Sequence, residues 1–415
     1  MDEFLFESTG NEPSASYKQW LRTSYWALHT KRNPNQLVWK NWVSNAMMLA
    51  SSLGWDTMVN DMIKRNIFNP DDLDAEGWWP LHTASRFGNL STVQLLLEHG
   101  AFPDLKDKSG QTPLCHAVES GYKDVVELLL DTGEVDPDSK DHRGHTPLMY
   151  GCASYRGEGA ASLLLRTPGV NPAYVAPDGK SALFQTWSPL VIEELLKFDG
   201  VDINSRDRSG RTLLSRAAMD GNFPLVRFFL GKAETNRNAA DIDGRTPILL
   251  ATAMRQHEAI SLLLNDPTVE LNAPDDSGRT ALSYAAEAAD DAIIKTLLAS
   301  DRVDPDSRDH LGRSPLSWSV RKWRPSMDKQ IKAAIKALLA DGRVDVDSCD
   351  NAGRTPVSIA ADNGCVEIVN VLMKMRRADT GRPGNDEWTL LRWAQANRHK
   401  SGSSAWVNDG RTWSL

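Results

Sequence analysis

One phrase returns down the length of this chain: an aspartate, two residues, a glycine, one variable residue, threonine or serine, usually proline, then an apolar residue. It reads DKSGQTPL from Asp107, DHRGHTPL from Asp141, DRSGRTLL from Asp207, DIDGRTPI from Asp241, DDSGRTAL from Asp275, DHLGRSPL from Asp309 and DNAGRTPV from Asp350. DAEGWWPL from Asp74 is an earlier copy, and APDGKSAL from Ala176 a degenerate one. The glycines of the phrase are Gly77, Gly110, Gly144, Gly179, Gly210, Gly244, Gly278, Gly312 and Gly353, so the intervals are 33, 34, 35, 31, 34, 34, 34 and 41 residues. Self-similarity at such a period means one supersecondary unit per copy, each burying its apolar face on its neighbours. A chain of 415 residues would otherwise divide into two or three domains with separate cores.

A period near 33 with a TPLH-like signature resembles the ankyrin repeat, two helices and a β-turn finger per unit. The resemblance runs from about Ala46 to Lys374, and the phrases VDPDSKD…GHTPL, VDPDSRD…GRSPL and VDVDSCD…GRTPV look like the arrays of filamentous fungi. It implies a mostly α solenoid of about ten helix-pair units with β-turn fingers. Each residue of the phrase has a physical task. Glycine supplies the backbone angle at the finger turn, threonine caps the first helix, and proline fits its first turn. The second helix carries apolar residues at helical spacing, as at Val93, Leu96 and Leu97, or Val125, Val126, Leu129 and Leu130.

The array extends beyond its fingers. AMMLASSLGWDTMVNDMIKRN aligns with AVESGYKDVVELLLDTG and places Gly54 where Gly88 and Gly121 stand, so a helical unit precedes the first finger. Residues 1–45 match no unit; Tyr17, Leu21, Tyr25 and Leu28 on one helical face, with Trp39 and Trp42, predict an aromatic-rich helical N-terminal cap. Residues 46–378 form the array, and 379–415 a C-terminal half-repeat cap and tail. The chain holds 14 Trp against 7 Tyr and 10 Phe, and the clustering of Trp towards both ends suits caps that cover exposed apolar faces. Two units break the pattern. The short one, residues 176–203, predicts a truncated first helix with a notch beside Trp187. The 41-residue interval places its extra residues around Arg321, Lys322, Trp323 and Arg324, a basic cluster with an embedded Trp.

Lys+Arg 47 against Asp+Glu 55 gives a net charge of -8, which argues against nucleic acid as a partner. No apolar run reaches the roughly 20 residues that span a bilayer. The opening Met-Asp-Glu-Phe is not that of a signal peptide, so a cytoplasmic or nuclear setting is expected. Four cysteines without a CxxC pair suit a reducing compartment. The DxD sequences at Asp136–Asp138, Asp304–Asp306 and Asp345–Asp347 recur at the same place in successive repeats, which marks them as structural. His142, His145 and Cys152 match no zinc template. No GxSxG elbow, P-loop, HExxH or GxGxxG is present. No catalytic residue, metal or cofactor is expected.

The resemblance implies a groove lined by the fingers and the ends of the first helices. Its slots hold Trp78, Arg86 and Phe87 in the first finger unit, Arg206, Arg208 and Arg211 in the Asp207 unit, then Arg245, Arg279 and Arg313. Acidic residues such as Glu127, Asp131, Glu193 and Glu194 fall on the second helices instead. A basic groove with an aromatic end predicts a scaffold for an acidic protein or peptide. The alternative is an enzyme or small-molecule binder of cyclase or isomerase type, of the kind used in fungal secondary metabolism. It would hold a small apolar ligand in a Trp-lined pocket between the N-terminal helices and the first repeats, with Arg86 or His82 as a polar handle.

Overall fold

The computed structural model describes residues 46–376, apart from residue 67, residues 72–77 and residues 322–326. The expected N-terminal cap, the C-terminal half-repeat and the Trp323 cluster lie outside those residues. The chain divides into two compact units, Met1–Asp202 and Ile203–Leu415.

In the described part of the first unit, residues 46–53 and the helix Asp56–Lys64 flank Gly54. Four helix pairs follow: Pro80–Phe87 with Leu90–Glu98, Pro113–Ser120 with Lys123–Asp131, Pro147–Ala153 with Glu158–Leu164, and Ala182–Gln185 with Pro189–Leu195. Each first helix packs on the first helix of the next pair. Leu81, Leu114 and Leu148 are buried along that stack, as are Leu96, Leu129 and Leu164 on the second helices. Burying each such side chain contributes about 2 kcal/mol, and the helices pack chiefly on their own and adjacent pairs, so the fold is held interface by interface.

The second unit repeats the plan with Leu213–Asp220 and Phe223–Leu230, Pro247–Ala253 and His257–Asn265, Ala281–Glu287 and Asp291–Leu298, Pro315–Arg321 and Asp328–Leu339, and Pro356–Asp362 and Val366–Arg376. The described residues thus comprise about ten helix pairs. Among the described residues there is no strand, only an isolated bridge between Val175 and Ser181.

Helix starts follow the phrase. The hydroxyls of Thr112, Thr146, Ser181, Thr212 and Thr355 accept the backbone N–H three residues on. Thr246 and Thr280 hold the same position without that bond; the Thr280 hydroxyl lies 3.0 Å from that of Ser307 instead. Gly110 and Gly278 show why the turn needs glycine. Both have φ +82, and a Cβ on either would fall 2.7 Å from the backbone nitrogen of the next finger, His142 or His310.

The two irregular units have local causes. In the short one, Ala182–Gln185 is only one turn, and Pro189 opens the second helix with the Ser188 hydroxyl capping it. Thr186 is buried in between, leaving Trp187 41 % exposed. In the long one, the second helix, Asp328–Leu339, has 12 residues, which absorbs part of the extra length.

Candidate partner-binding face

The described fingers that carry the motif aspartate are built around it. One carboxylate oxygen, Oδ1, accepts the backbone N–H groups two and four residues on: Ser109 and Gln111 for Asp107, Ser209 and Arg211 for Asp207, Ser277 and Arg279 for Asp275. Successive fingers within a unit are also joined. The residue after the motif aspartate donates its N–H to a carbonyl of the preceding finger, as His142 does to Ser109 and His310 to Ser277, both at 3.0 Å. Backbone groups that would otherwise stand exposed are thereby satisfied locally or by the neighbour.

The second carboxylate oxygen, Oδ2, decides what the finger presents. In four fingers of the second unit it is taken by the arginine after the glycine. The Nε–Oδ2 distances are 3.0 Å for Arg211 and Asp207, 3.0 Å for Arg245 and Asp241, 2.7 Å for Arg313 and Asp309, and 3.0 Å for Arg354 and Asp350. Burial pushes the Asp350 carboxyl up, but the backbone and side-chain hydrogen bonds of Arg354 outweigh it and hold it below its ordinary value. Elsewhere a residue nine positions after the aspartate takes Oδ2: His116 on Asp107 at 3.0 Å, Tyr150 on Asp141 at 2.6 Å, and Tyr284 on Asp275 at 2.7 Å. On Asp309 the Trp318 indole joins Arg313, at 3.1 Å.

The predicted cations therefore differ in what they can offer. Arg313 is 7 % exposed and belongs to the finger's interior. Arg211 and Arg245 are half-buried, each already sharing a carboxylate; Arg245 also meets Asp243 at 2.6 Å. Arg279 pairs with Glu287 and lies between two rings, 4.0 Å from the Tyr284 centroid and 4.1 Å from that of Trp318. Arg206 is exposed, yet it donates to the carbonyls of Gly210 (2.8 Å) and Ala240. Arg208 is exposed. In the first unit Arg86 is exposed and lies 5.3 Å over the Trp78 ring, beside Phe87 at 52 % exposure.

Sequence reasoning missed a set of clasps formed by the residue just before each motif aspartate. Lys106 donates to the Lys140 carbonyl at 2.9 Å, Arg206 to that of Ala240, and Arg308 to that of Cys349 at 2.9 Å. Each cation reaches the equivalent carbonyl of the next finger, so its charge is anchored at the edge of the array. The repeated DxD sequences also form clasps. Asp138 accepts the Asn171 N–H and Asp306 that of Asp345, and the first aspartate of each pair accepts the N–H of the second at 3.0 Å.

His82, a candidate polar handle, is not presented to a hollow. It is fully buried, its Nε2 lies 3.1 Å from the Gln111 carbonyl, and its ring stacks on Trp79 with centroids 5.1 Å apart. Burial, reinforced by His116, pushes its pKa down to about 4, so it is neutral at pH 7. The N-terminal wall of that candidate pocket, residues 1–45, lies outside the described residues. Two open hollows of about 400 and 500 Å³ lie over residues 301–306 with Arg343 and over residues 267–273 with Arg302, and neither is lined by an aromatic side chain. Burial pushes the Cys115 thiol up to about 11 and Cys152 up to about 12, which removes both as nucleophiles at neutral pH. Among the described residues no group of three His, Cys, Asp or Glu could hold a metal ion. No helix there is long and apolar enough to cross a membrane.

Comparison with known proteins agrees with this architecture. The family described as ankyrin repeats (3 copies) matches residues 27–107, 46–141, 103–174, 185–275 and 214–309, together more than half of the chain. Rabankyrin-5 of Mus musculus is 31% identical over 160 residues, 37% of this chain and 14% of that protein. Human neurogenic locus notch homolog protein 4 is 41% identical over 73 residues, 18% of this chain and 4% of its own. The chain thus corresponds to a small part of these relatives. Among solved structures, the ankyrin repeat protein EF0377 is similar with 25% sequence identity and a TM-score of 0.41, covering 45% of this chain and 92% of that one. From repeat, finger and helix stack together with the family match, the chain belongs to the ankyrin-repeat family, whose arrays serve as protein–protein interaction scaffolds.

Proposed function

We propose that this protein is an intracellular scaffold, cytoplasmic or nuclear, that docks an acidic segment of a partner protein on its finger face. In the second unit the contact residues are Arg206, Arg208, Arg211, Arg245 and Arg279, with the predicted Arg313 lying behind them inside its finger. In the first they are Trp78, Arg86 and Phe87. The observation that carries the reading is the fixed presentation of the arginines. Motif aspartates hold the guanidiniums of Arg211 and Arg245 through Nε and one Nη, and carbonyls hold Arg206. A guanidinium already ordered loses less conformational entropy on meeting a carboxylate. The same pairing reduces net charge, so the exposed Arg206, held by carbonyls rather than a carboxylate, contributes strongly to steering, while Arg313 supports its finger from within. The filamentous-fungal character of the VDPDS phrases is part of the same proposal.

A footprint tests it. An acidic synthetic peptide, added to the full chain during hydrogen exchange, slows exchange in the fingers around residues 206–211, 240–245 and 274–279. Protection confined to second helices such as Phe223–Leu230 would contradict the assignment.

A further inference from the structure

Four aromatic rings stand exposed in the first unit where each first helix hands over to its second: Phe87 (52 %), Tyr122 (38 %), Tyr155 (83 %) and Trp187 (41 %). They follow one another at 35, 33 and 32 residues, one ring per repeat. The junctions that carry them are contiguous. A Cβ on Gly88 would fall 2.3 Å from the Tyr122 ring, and one on Gly121 would fall 2.1 Å from the Arg156 carbonyl. The Ser188 hydroxyl donates to Glu158 at 2.6 Å, joining the last two. The slot of Tyr122, directly after the left-handed residue that ends the first helix, holds Asn222, Gln256 and Asp290 in the second unit. Phe223 (44 %) is an exposed ring at one such junction of the second unit, next to Asn222; four rings in four successive junctions are found in the first unit, and a row of exposed large rings on a folded surface marks an interaction site.

We propose that this row docks a proline-rich segment of a partner in the polyproline II conformation. Three features select that occupant. Stacked helices lie about 8–10 Å apart, and a polyproline II helix repeats every three residues, about 9 Å. The four junctions that carry the rings make three such steps from repeat to repeat, close to nine residues of extended chain. The apolar row is also narrow, flanked by the exposed charges of Arg86, Glu119, Lys123 and Asp124, whereas an amphipathic helix needs a trough about 10 Å wide. Finally, the row is rich in donors. The Tyr155 hydroxyl accepts from Arg156 Nε at 2.8 Å and keeps its own proton to give; Tyr122 brings a second hydroxyl, and Arg86 and Arg156 bring guanidiniums. A proline-rich backbone offers carbonyl acceptors and few N–H groups, so the electrostatics of row and occupant are complementary. Proline and aromatic rings then bury against each other at little entropic cost, because the ligand is already ordered.

The row shares Phe87 with the finger face but does not depend on the acidic-partner reading. Fluorescence anisotropy of a labelled peptide of roughly twelve residues, proline at two of every three positions, is the test, with a Gly/Ser peptide of equal charge as comparison. The full chain should bind the proline-rich probe and not the Gly/Ser one. Tyr155→Ala with Trp187→Ala should weaken binding roughly tenfold or more while the chain stays folded at the assay temperature, which its melting curve checks. Tyr122→Phe should weaken it less, by removing only a donor. Arg208→Glu with Arg211→Glu, in the second unit, should leave it unchanged, even if acidic-peptide binding fails. Equal binding of the two probes would overturn the proposal. So would unchanged affinity in the Tyr155/Trp187 variant, tighter binding of an amphipathic-helix probe, or a self-association of the chain that this variant abolishes.

Discussion

The Tyr284 hydroxyl donates to Asp275 Oδ2 at 2.7 Å, and that bond redirects Arg279. In its sister fingers the arginine four residues after the motif aspartate takes the same oxygen; here the oxygen is occupied, and Arg279 turns to Glu287 and the Trp318 ring. Burial, with the hydrogen bond to Asp275 added, pushes the phenol up to about 12, so it remains a donor throughout the neutral range. Tyr284→Phe should therefore destabilise the second unit by about 1–2 kcal/mol. Adding Glu287→Ala should cost less than the two single changes summed, because Arg279 can then fall back on Asp275. A double-mutant cycle by chemical denaturation measures that coupling; strict additivity would show that the two arrangements do not compete.

Left-handed residues end several first helices, and two of them are not glycine: Arg255 (φ 59) and Ala289 (φ 53). A side chain costs about 1 kcal/mol in that conformation. Ala289→Gly should stabilise the unit by about that amount. Arg255→Gly should destabilise it despite the same relief, because Arg255 Nε bonds the buried Asp290 at 2.7 Å, and Asp290 caps the helix Asp291–Leu298. Opposite shifts in melting temperature are the expected result.

The position three before the motif aspartate is Asn in the Asp207, Asp241 and Asp275 repeats and Asp in those of Asp107, Asp141, Asp309 and Asp350. Asn204, Asn238 and Asn272 each use both ends of the amide, accepting an N–H of the next repeat and donating Nδ2 to a carbonyl, as Asn272 does to Arg302 at 2.7 Å. Asp104 and Asp306 accept the N–H but leave Oδ1 buried without a hydrogen-bond partner. Burial pushes both carboxyls above their ordinary value. A raised folded-state pKa favours the protonated folded form, so the stability tied to these groups is full at low pH and lost as pH rises through the folded value. Asp104→Asn and Asp306→Asn should each stabilise by about 1 kcal/mol at pH 7, with the advantage shrinking as the pH is lowered towards 4. Melting curves across that range are the check.

His82 acts in the opposite direction. With its folded pKa near 4 and an unfolded value near 6.5, the unfolded chain binds the extra proton between those values. Stability contributed by the neutral buried ring is complete above about pH 6.5 and declines towards pH 4, by about 3 kcal/mol at most. Amide exchange in Pro80–Phe87 should accelerate over that window while the helices of the second unit are spared. Equal acceleration in both units would exclude His82 as the cause.

The architecture was legible because the finger phrase is local chemistry: Gly110 and Thr112 each do in the structure what their spacing predicts, whereas the bonds of Asp107 Oδ1 to the finger N–H groups emerged only from the structure. Gly54 likewise identified a helix pair that has no finger. The fate of the arginines was not legible from slot positions alone. Asp and Arg four residues apart in DRSGR and DIDGR were the signal for pairing, but whether the pair forms depends on the residue nine after the aspartate, which approaches only once the helix is folded back. Leu250 leaves Asp241 to Arg245, whereas Tyr284 claims Asp275. Trp187 was visible as the mark of a broken unit. Its membership of a row with Phe87, Tyr122 and Tyr155 was hidden because two of the four junctions are irregular in length.

The finger face is tested most directly by the affinity of one acidic peptide for the full chain and for Arg208→Glu with Arg211→Glu, at low and moderate salt. The account predicts salt-sensitive binding to the natural sequence, at least roughly tenfold weaker in the variant, with a flatter salt dependence. Equal affinity and equal salt sensitivity in the two proteins would contradict it.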